Sequence, residues 1–282
     1  MTGLTTRAQH RCFGGTLGFY SHPSAETGTD MRFGLFVPPQ AETGPVPALF
    51  YLAGLECSEE TFLIKAGAVR LAAELGLMLV APDTSPRGAG IAGEEDDWDV
   101  GTGAGFYVDA TEAPWNKTYR MYSYVTTELP ALIEAHFPAC TDRRGIFGHS
   151  MGGHGALVIA LRQPERWHSV SAFAPIANPV AVSWGAKAFG LYLGPKSDRW
   201  AAYDASLLMA KRRYPGPILV DQGLLDKFLD TQLLPQSLEA AAKASGQDLT
   251  LRRNDGYDHS YWFIQSFVAD HLQWHAGLLA SG

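Results

Sequence analysis

The chain contains few cysteines, no long apolar segment and no cluster of basic residues. Its three cysteines, Cys12, Cys57 and Cys140, are too few and too scattered for a disulfide framework or a zinc site, so we expect reduced thiols and no bound metal. No apolar run approaches the ~18 residues of a membrane span, and residues 1–11 lack the apolar centre of a secretion signal. These absences predict a cytoplasmic protein that does not bind a membrane.

The charge pattern argues against a polyanionic partner. The formal net charge is -7, and the clearest charge cluster, residues 94–97, is acidic. A protein that binds nucleic acid usually carries a basic face or stripe, and the sequence contains no block of lysine or arginine. We therefore expect no nucleic-acid partner.

The composition is that of a compact folded protein, with 46% hydrophobic and 18% charged residues. No low-complexity tract, internal repeat or proline-rich linker divides the 282 residues. A chain of this length can bury one large core. The sequence therefore predicts one domain over residues 1–282.

Strand and helix patterns alternate along most of the chain. Apolar runs bounded by Gly, Pro or Asp predict strands at residues 32–37, 48–52, 77–81, 144–147, 217–221 and 249–252. Helical spacing of apolar residues predicts helices at 59–74, 119–135, 153–162, 232–244 and 260–278. From residue 48 onward this order predicts an α/β fold with a mostly parallel sheet and helices on both faces, preceded by antiparallel edge strands. In such a sheet, sites form in the loops after the carboxyl ends of the strands.

The segment Gly148-His149-Ser150-Met151-Gly152 follows one predicted strand and begins a predicted helix. It matches the G-x-S-x-G nucleophile elbow, in which a sharp turn presents the serine hydroxyl clear of the backbone. So tight a turn leaves little room for a Cβ at either glycine. Ser150 is therefore the candidate nucleophile, and the amides that begin the helix point toward any negative charge that develops beside it.

A serine nucleophile needs a general base, and the base needs a carboxylate that holds its tautomer. In α/β-hydrolases the chain order is Ser, then Asp or Glu, then His. His259 lies in a turn between the last predicted strand and the last helix, at the expected sheet edge. His271 and His275 lie within that helix and fit surface or packing positions, and His168 comes too early, at a helix end.

Three aspartates follow the predicted strand at residues 217–221. Asp221 ends the strand, where it can simply bind backbone amides, and Asp230 falls in the following helix. Asp226 lies in the loop between them and is favoured as the acid. The alternative is that Asp226 caps the next helix.

Two backbone N–H groups complete the predicted site as donors to an oxyanion. One belongs to Met151, the residue after the nucleophile, and the other belongs to Leu55 in the loop after residues 48–52. Gly54 permits the turn that aims the Leu55 amide inward.

Two other patterns do not predict a site. The glycines within residues 101–105 lack the preceding strand and following helix that a phosphate-binding loop needs. His149 and His154 flank Ser150, but no third ligand at suitable spacing supports a metal centre. These histidines fit packing or helix-end positions.

Long segments throughout the chain carry a family resemblance. They are YLAGLEC (51–57), DTSPRG (83–88), DWDVGTGAGFYVDAT (97–111), YRMYSY (119–124), the elbow, PIANP (175–179), WG (184–185) and GYDHSY (256–261). Over nearly its whole length the chain resembles the S-formylglutathione hydrolases, the esterase D family of α/β-hydrolases. The resemblance implies an α/β-hydrolase fold and cleavage of S-formylglutathione to glutathione and formate, a step of formaldehyde detoxification that needs no cofactor.

Carried over by position, the resemblance implies that Ser150 is the nucleophile, Asp226 the acid and His259 the base. It assigns the amides of Leu55 and Met151 as oxyanion donors. These assignments agree with those made from the residues alone. The family is often dimeric, so the resemblance also allows a homodimer.

The resemblance further implies that Cys57, Trp98 and Trp184 lie beside the pocket, and that Cys57 is not the nucleophile. The alternative for Cys57 is a small buried apolar filler. The chain departs from the family at Glu56, where a small hydroxyl residue is usual. A carboxylate near the mouth of the pocket could disfavour an anionic substrate.

Two further departures are Ala53, at another position usually held by a small hydroxyl residue, and Leu225, which replaces an acidic residue beside the catalytic one. Neither departure removes a group that the hydrolysis requires. Two alternatives to the implied function follow. One is a broad carboxylesterase for short-chain esters, and the other is a hydrolase-like binding module without activity.

Overall fold

A computed structural model describes residues 3–280 and places a nine-stranded mixed sheet at the centre of the fold. The strands are β1 (Thr5–Cys12), β2 (Gly15–Pro23), β3 (Asp30–Val37), β4 (Val46–Leu52), β5 (Met78–Pro82), β6 (Ala139–His149), β7 (Ser169–Phe173), β8 (Ile218–Gly223) and β9 (Leu249–Asn254). They lie side by side in the order β1-β2-β3-β5-β4-β6-β7-β8-β9.

The type of pairing changes once across the sheet, from antiparallel to parallel. β1, β2 and β3 pair antiparallel, and β3 also pairs antiparallel with β5. All pairs from β5 through β4 to β9 are parallel. The predicted parallel sheet with antiparallel strands at its N-terminal side is confirmed. Parallel neighbours require crossover segments, and these contain the helices.

The helices follow the strands along the chain. They are α1 (Thr61–Lys65), α2 (Val69–Leu75), α3 (Met121–Ser123), α4 (Leu129–His136), α5 (Met151–Arg162), α6 (Ser183–Leu193), α7 (Asp198–Ala201), α8 (Ala205–Lys211), α9 (Pro235–Ser245) and α10 (Tyr261–Leu279). The helix predicted at 59–74 is divided into α1 and α2, because the backbone at Gly67 is left-handed, with φ 68°. The helix predicted at 119–135 contains a π-helical turn, Tyr124–Glu128, between α3 and α4.

Sequence patterns missed three strands and three helices. β1 is an exposed edge strand with polar residues on both faces, so it lacks the alternation that marks a half-buried strand. β2 was missed although its residues 18–20 are buried. β7 is buried throughout but contains two serines, which dilute its apolar signal. The region of α6, α7 and α8 carried no helix prediction.

The register of the central strands brings the site loops to one edge of the sheet. Leu52 of β4 pairs with Gly148 of β6, His149 pairs with Phe173 of β7, and Phe173 pairs with Asp221 of β8. The loops that follow these strands therefore leave the sheet side by side. Between residues 3 and 280, no helix has both the length and the apolar character needed to cross a membrane.

Candidate active site

Ser150 lies at the turn from β6 to α5, with φ 57° and ψ -118°. A Cβ on Gly152 would lie 1.9 Å from the carbonyl oxygen of Leu52, and one on Gly148 would lie 2.4 Å from that of Gly152. The backbone therefore requires glycine at both positions. The Ser150 amide donates to the carbonyl of Phe173 at 3.0 Å, which holds the strained turn against β7.

The backbone amides of Leu55 and Met151 are the two candidate donors to an oxyanion. Within residues 3–280, neither the Leu55 nor the Met151 amide donates a hydrogen bond to another residue. A Cβ on Gly54 would lie 3.3 Å from the Cβ of Ser150, so the loop after β4 passes directly over the elbow. Unpaired N–H groups in this position are available to a developing negative charge.

The loop after β8 places Asp226 against His259. Asp226 Oδ2 lies 2.5 Å from His259 Nδ1, and Oδ1 accepts a hydrogen bond from the Phe228 amide at 2.9 Å. With Nδ1–H donated to the carboxylate, Nε2 of a neutral His259 is free to accept a proton. Of the three candidate aspartates, the structure thus brings Asp226 to the imidazole, whereas Asp221 and Asp230 form no hydrogen bond with it among the described residues.

Ser150 and His259 line the same pocket, which has a volume of about 310 Å³. Leu55 and the three residues predicted beside it, Cys57, Trp98 and Trp184, also line this pocket. The rings of Trp98 and Trp184 meet edge to face, with centroids 5.6 Å apart. Met151 is fully buried, so its side chain is not open to solvent in the pocket.

Comparison with known proteins identifies the family. A family model described as "Putative esterase" matches residues 24–274. The chain belongs to this esterase family. It is 54% identical over 276 residues to an S-formylglutathione hydrolase of Mus musculus, with 96% of this chain and 97% of the mouse protein covered. It is 53% identical over 271 residues to an S-formylglutathione hydrolase of Paracoccus denitrificans (strain Pd 1222), with 96% of each chain covered.

Comparison with a solved structure supports the same family assignment. The S-formylglutathione hydrolase from Agrobacterium tumefaciens is 49% identical, with a TM-score of 0.95. The match covers 98% of this chain and 99% of that one. The α/β-hydrolase fold predicted from the sequence is therefore confirmed.

The esterase pocket also contains residues that sequence reasoning did not assign to it: His149, Lys227, Phe228 and Tyr261. His149 is 6% exposed, and its ring centroid lies 4.4 Å from that of His259. Burial, and then the neighbouring His259, lower the pKa of His149 well below its usual value. The packing of this ring against His259 supports the position of the His259 ring.

Residues 101–105 brace the loop that carries Leu55. The amide of Gly101 donates to Tyr192 Oη at 2.7 Å, and that of Gly103 donates to Ser85 Oγ at 2.8 Å. The Glu56 amide in turn donates to the carbonyl of Gly103 at 3.0 Å. The amides of Gly101 and Gly103 are therefore engaged inside the protein, which agrees with the prediction that this segment is not a phosphate site.

Cys57 is half-buried in the pocket wall, and all three cysteines are free thiols. Burial is the largest effect on Cys57 and raises the pKa of its thiol. A protonated thiol is a poor nucleophile. The chemistry of the pocket therefore favours Ser150 as the attacking group, with Cys57 as part of the wall.

Of the two positions that the sequence allowed for His271 and His275, surface or packing, the structure shows packing positions. Both are fully buried on α10, and Ser171 Oγ lies 2.7 Å from His271 Nδ1 and 2.8 Å from His275 Nε2. His271 Nε2 lies 2.9 Å from Asp221 Oδ2, and Arg252 also binds this carboxylate. Burial alone would raise the pKa of Asp221, but these partners outweigh it and lower the pKa to about 2. Polar side chains of the sheet thus form hydrogen bonds with the rings of His271 and His275. The sequence pattern did not decide whether these two histidines are buried or exposed.

Proposed function

We propose that this esterase hydrolyses S-formylglutathione to glutathione and formate through a triad of Ser150, His259 and Asp226. The observation that carries the proposal is one pocket lined by both Ser150 and the Asp226-bound His259, together with the Leu55 and Met151 amides, which have no acceptor within residues 3–280. The names of the relatives at 53–54% identity support the substrate.

The reaction would proceed in two steps. His259 Nε2 accepts the hydroxyl proton while Ser150 Oγ attacks the thioester carbonyl, and the amides of Leu55 and Met151 donate to the oxyanion. Removal of one such donor typically costs about 3 kcal/mol of transition-state stabilisation. The oxyanion collapses, the C–S bond breaks, and the sulfur takes the proton from His259. Water, deprotonated by His259, then attacks the formyl-enzyme, the bond from the formyl carbon to Ser150 Oγ breaks, and Oγ takes the proton from His259 as formate is released. Asp226 stabilises the imidazolium in both steps.

The leaving group fits this machinery. A thiol has a pKa of about 8.5, so a thiolate departs far more readily than an amine and needs little help from an acid. The same site would therefore cleave thioesters and activated esters in preference to peptides. A formyl group also needs little space, which agrees with tryptophan rings at the pocket wall.

The decisive experiment compares steady-state hydrolysis of S-formylglutathione by the purified protein with that by Ser150→Ala. We expect the substitution to abolish turnover and labelling by a fluorophosphonate, with an unchanged circular dichroism spectrum. Ser266→Ala, which alters an exposed serine on α10, serves as the matched control. Turnover or labelling retained by Ser150→Ala would contradict the covalent mechanism, and failure of the wild type to react would indicate an inactive binding module.

A broad carboxylesterase is the second candidate, because the exposed Glu56 in the pocket wall could disfavour an anionic carrier. The ratio of kcat/KM for S-formylglutathione to that for 4-nitrophenyl acetate separates the two functions. We also expect activity on aryl esters to fall steeply from acetyl to hexanoyl, since one methylene is worth about 1–3 kcal/mol in a confined pocket. Equal rates along this series would exclude a small acyl site. The cytoplasmic location and the homodimer stay predictions.

A further inference from the structure

The chemistry of the triad determines on which side of Ser150 the leaving group lies. The carbonyl oxygen must point toward the amides of Leu55 and Met151, and the departing sulfur must lie within reach of His259, which returns the proton. The carrier attached to that sulfur therefore leaves the pocket along the His259 side. Residues on this side can contact the carrier without contacting the acyl group.

A second hollow adjoins the pocket on this side. It has a volume of about 510 Å³, and Leu225 and Asp258 line it together with four residues that also line the active-site pocket: Lys227, Phe228, His259 and Ser260. Because the two hollows share these walls, a carrier can extend from the reacting sulfur into the second one.

Lys227 brings a positive charge to this hollow. Its Nζ lies 4.8 Å from the ring centroid of Phe228, and that ring lies 5.1 Å from the ring of His259. In the described part of the chain, no carboxylate forms an ion pair with Lys227. The carboxylate of Asp258, by contrast, accepts hydrogen bonds from the amide and the hydroxyl of Ser260, at 2.9 and 2.6 Å.

We infer that this hollow is the leaving-group subsite and that Lys227 binds a carboxylate of the thiol carrier there. The inference rests on the proposed function, because it concerns the leaving group of the same reaction. A peptide thiol such as glutathione bears carboxylates that the ammonium can pair, and the apolar Leu225 and Phe228 can contact its backbone. Lys227 and Glu56 both line the active-site pocket, so its wall carries charges of both signs.

The test uses three thioesters with one acyl group and different carriers: S-acetylglutathione, the same compound with both carboxylates esterified, and phenyl thioacetate. Wild type is compared with Lys227→Met and Lys227→Arg. The matched control is Lys65→Met. Lys65 also lies over an aromatic ring near the pocket, with Nζ 6.0 Å from the ring centroid of Tyr261, but it does not line the second hollow.

We expect Lys227→Met to lower kcat/KM for S-acetylglutathione about fivefold at low salt, the scale of one solvent-exposed ion pair. The loss should be in KM, because the carrier has left before the acyl-enzyme is hydrolysed. Lys227→Arg and Lys65→Met should behave like wild type. In about 1 M salt, where charges are screened beyond roughly 3 Å, wild type should approach Lys227→Met.

The esterified and phenyl thioesters should be hydrolysed equally by wild type and Lys227→Met. An equal fall on all three substrates would show that the substitution disturbs the neighbouring Asp226, and it would overturn the inference. No fall on S-acetylglutathione, or the same fall in Lys65→Met, would also overturn it. Each of these results leaves the proposed function intact, whereas an inactive wild type would refute that function itself.

Discussion

Replacement of Asp226 by Asn tests the proposed triad at the one of its three side chains that would not contact the substrate. The Asp226 side chain is fully buried, and its Oδ1 accepts from the Phe228 amide. An asparagine oxygen would keep that bond, so its NH₂ group would face Nδ1 of His259. The imidazole must then carry its proton on Nε2, where it cannot accept the proton of Ser150. A tautomer change of this kind lowers kcat about 10⁴-fold, which corresponds to about 5 kcal/mol.

The assay is hydrolysis of 4-nitrophenyl acetate, with thermal unfolding measured in parallel. Asn and Asp have nearly the same volume, so we expect the fold and its melting temperature to change little. Asp230→Asn, which alters an exposed aspartate in the same segment, should retain full activity. A loss of less than tenfold in Asp226→Asn would refute the role of the 2.5 Å contact between Asp226 and His259.

Two further predictions concern stability. Gly152→Ala should prevent formation of the elbow, because its Cβ would lie 1.9 Å from the Leu52 carbonyl oxygen. Gly190→Ala should instead stabilise α6 by about 0.5–1 kcal/mol, because a Cβ there would have no heavy atom within 4 Å. Similar melting temperatures for the two variants would contradict this prediction. Burial lowers the pKa of His271 and of His275, so below about pH 6.5 the unfolded state binds more protons than the folded state. The free energy of unfolding should then fall by up to about 1.4 kcal/mol per pH unit for each histidine, and a urea midpoint that is constant from pH 7.5 to 5.5 would exclude the effect.

The sequence alone predicted those features whose cause is local. Gly148 and Gly152 are required because a Cβ at either position would clash with a backbone carbonyl oxygen, that of Gly152 or of Leu52. These contacts lie next to Ser150 and at the end of the neighbouring strand, so a short motif was enough to find the two glycines. The loop position of Asp226 and the turn position of His259 followed from where strands end, because parallel strands bring their carboxyl ends to one edge. The alternation of strands and helices likewise predicted the parallel sheet.

Tertiary packing decided the rest. Which aspartate, Asp221 or Asp226, contacts His259 depends on how β8 and β9 are positioned. In the structure the Asp221 carboxylate binds His271 and Arg252 instead. Lys227 lines the second hollow because its loop folds beside His259, 32 residues away in the chain. Periodicity describes one element at a time. Contacts between distant segments depend on how their side chains fill the same space, which no local pattern records.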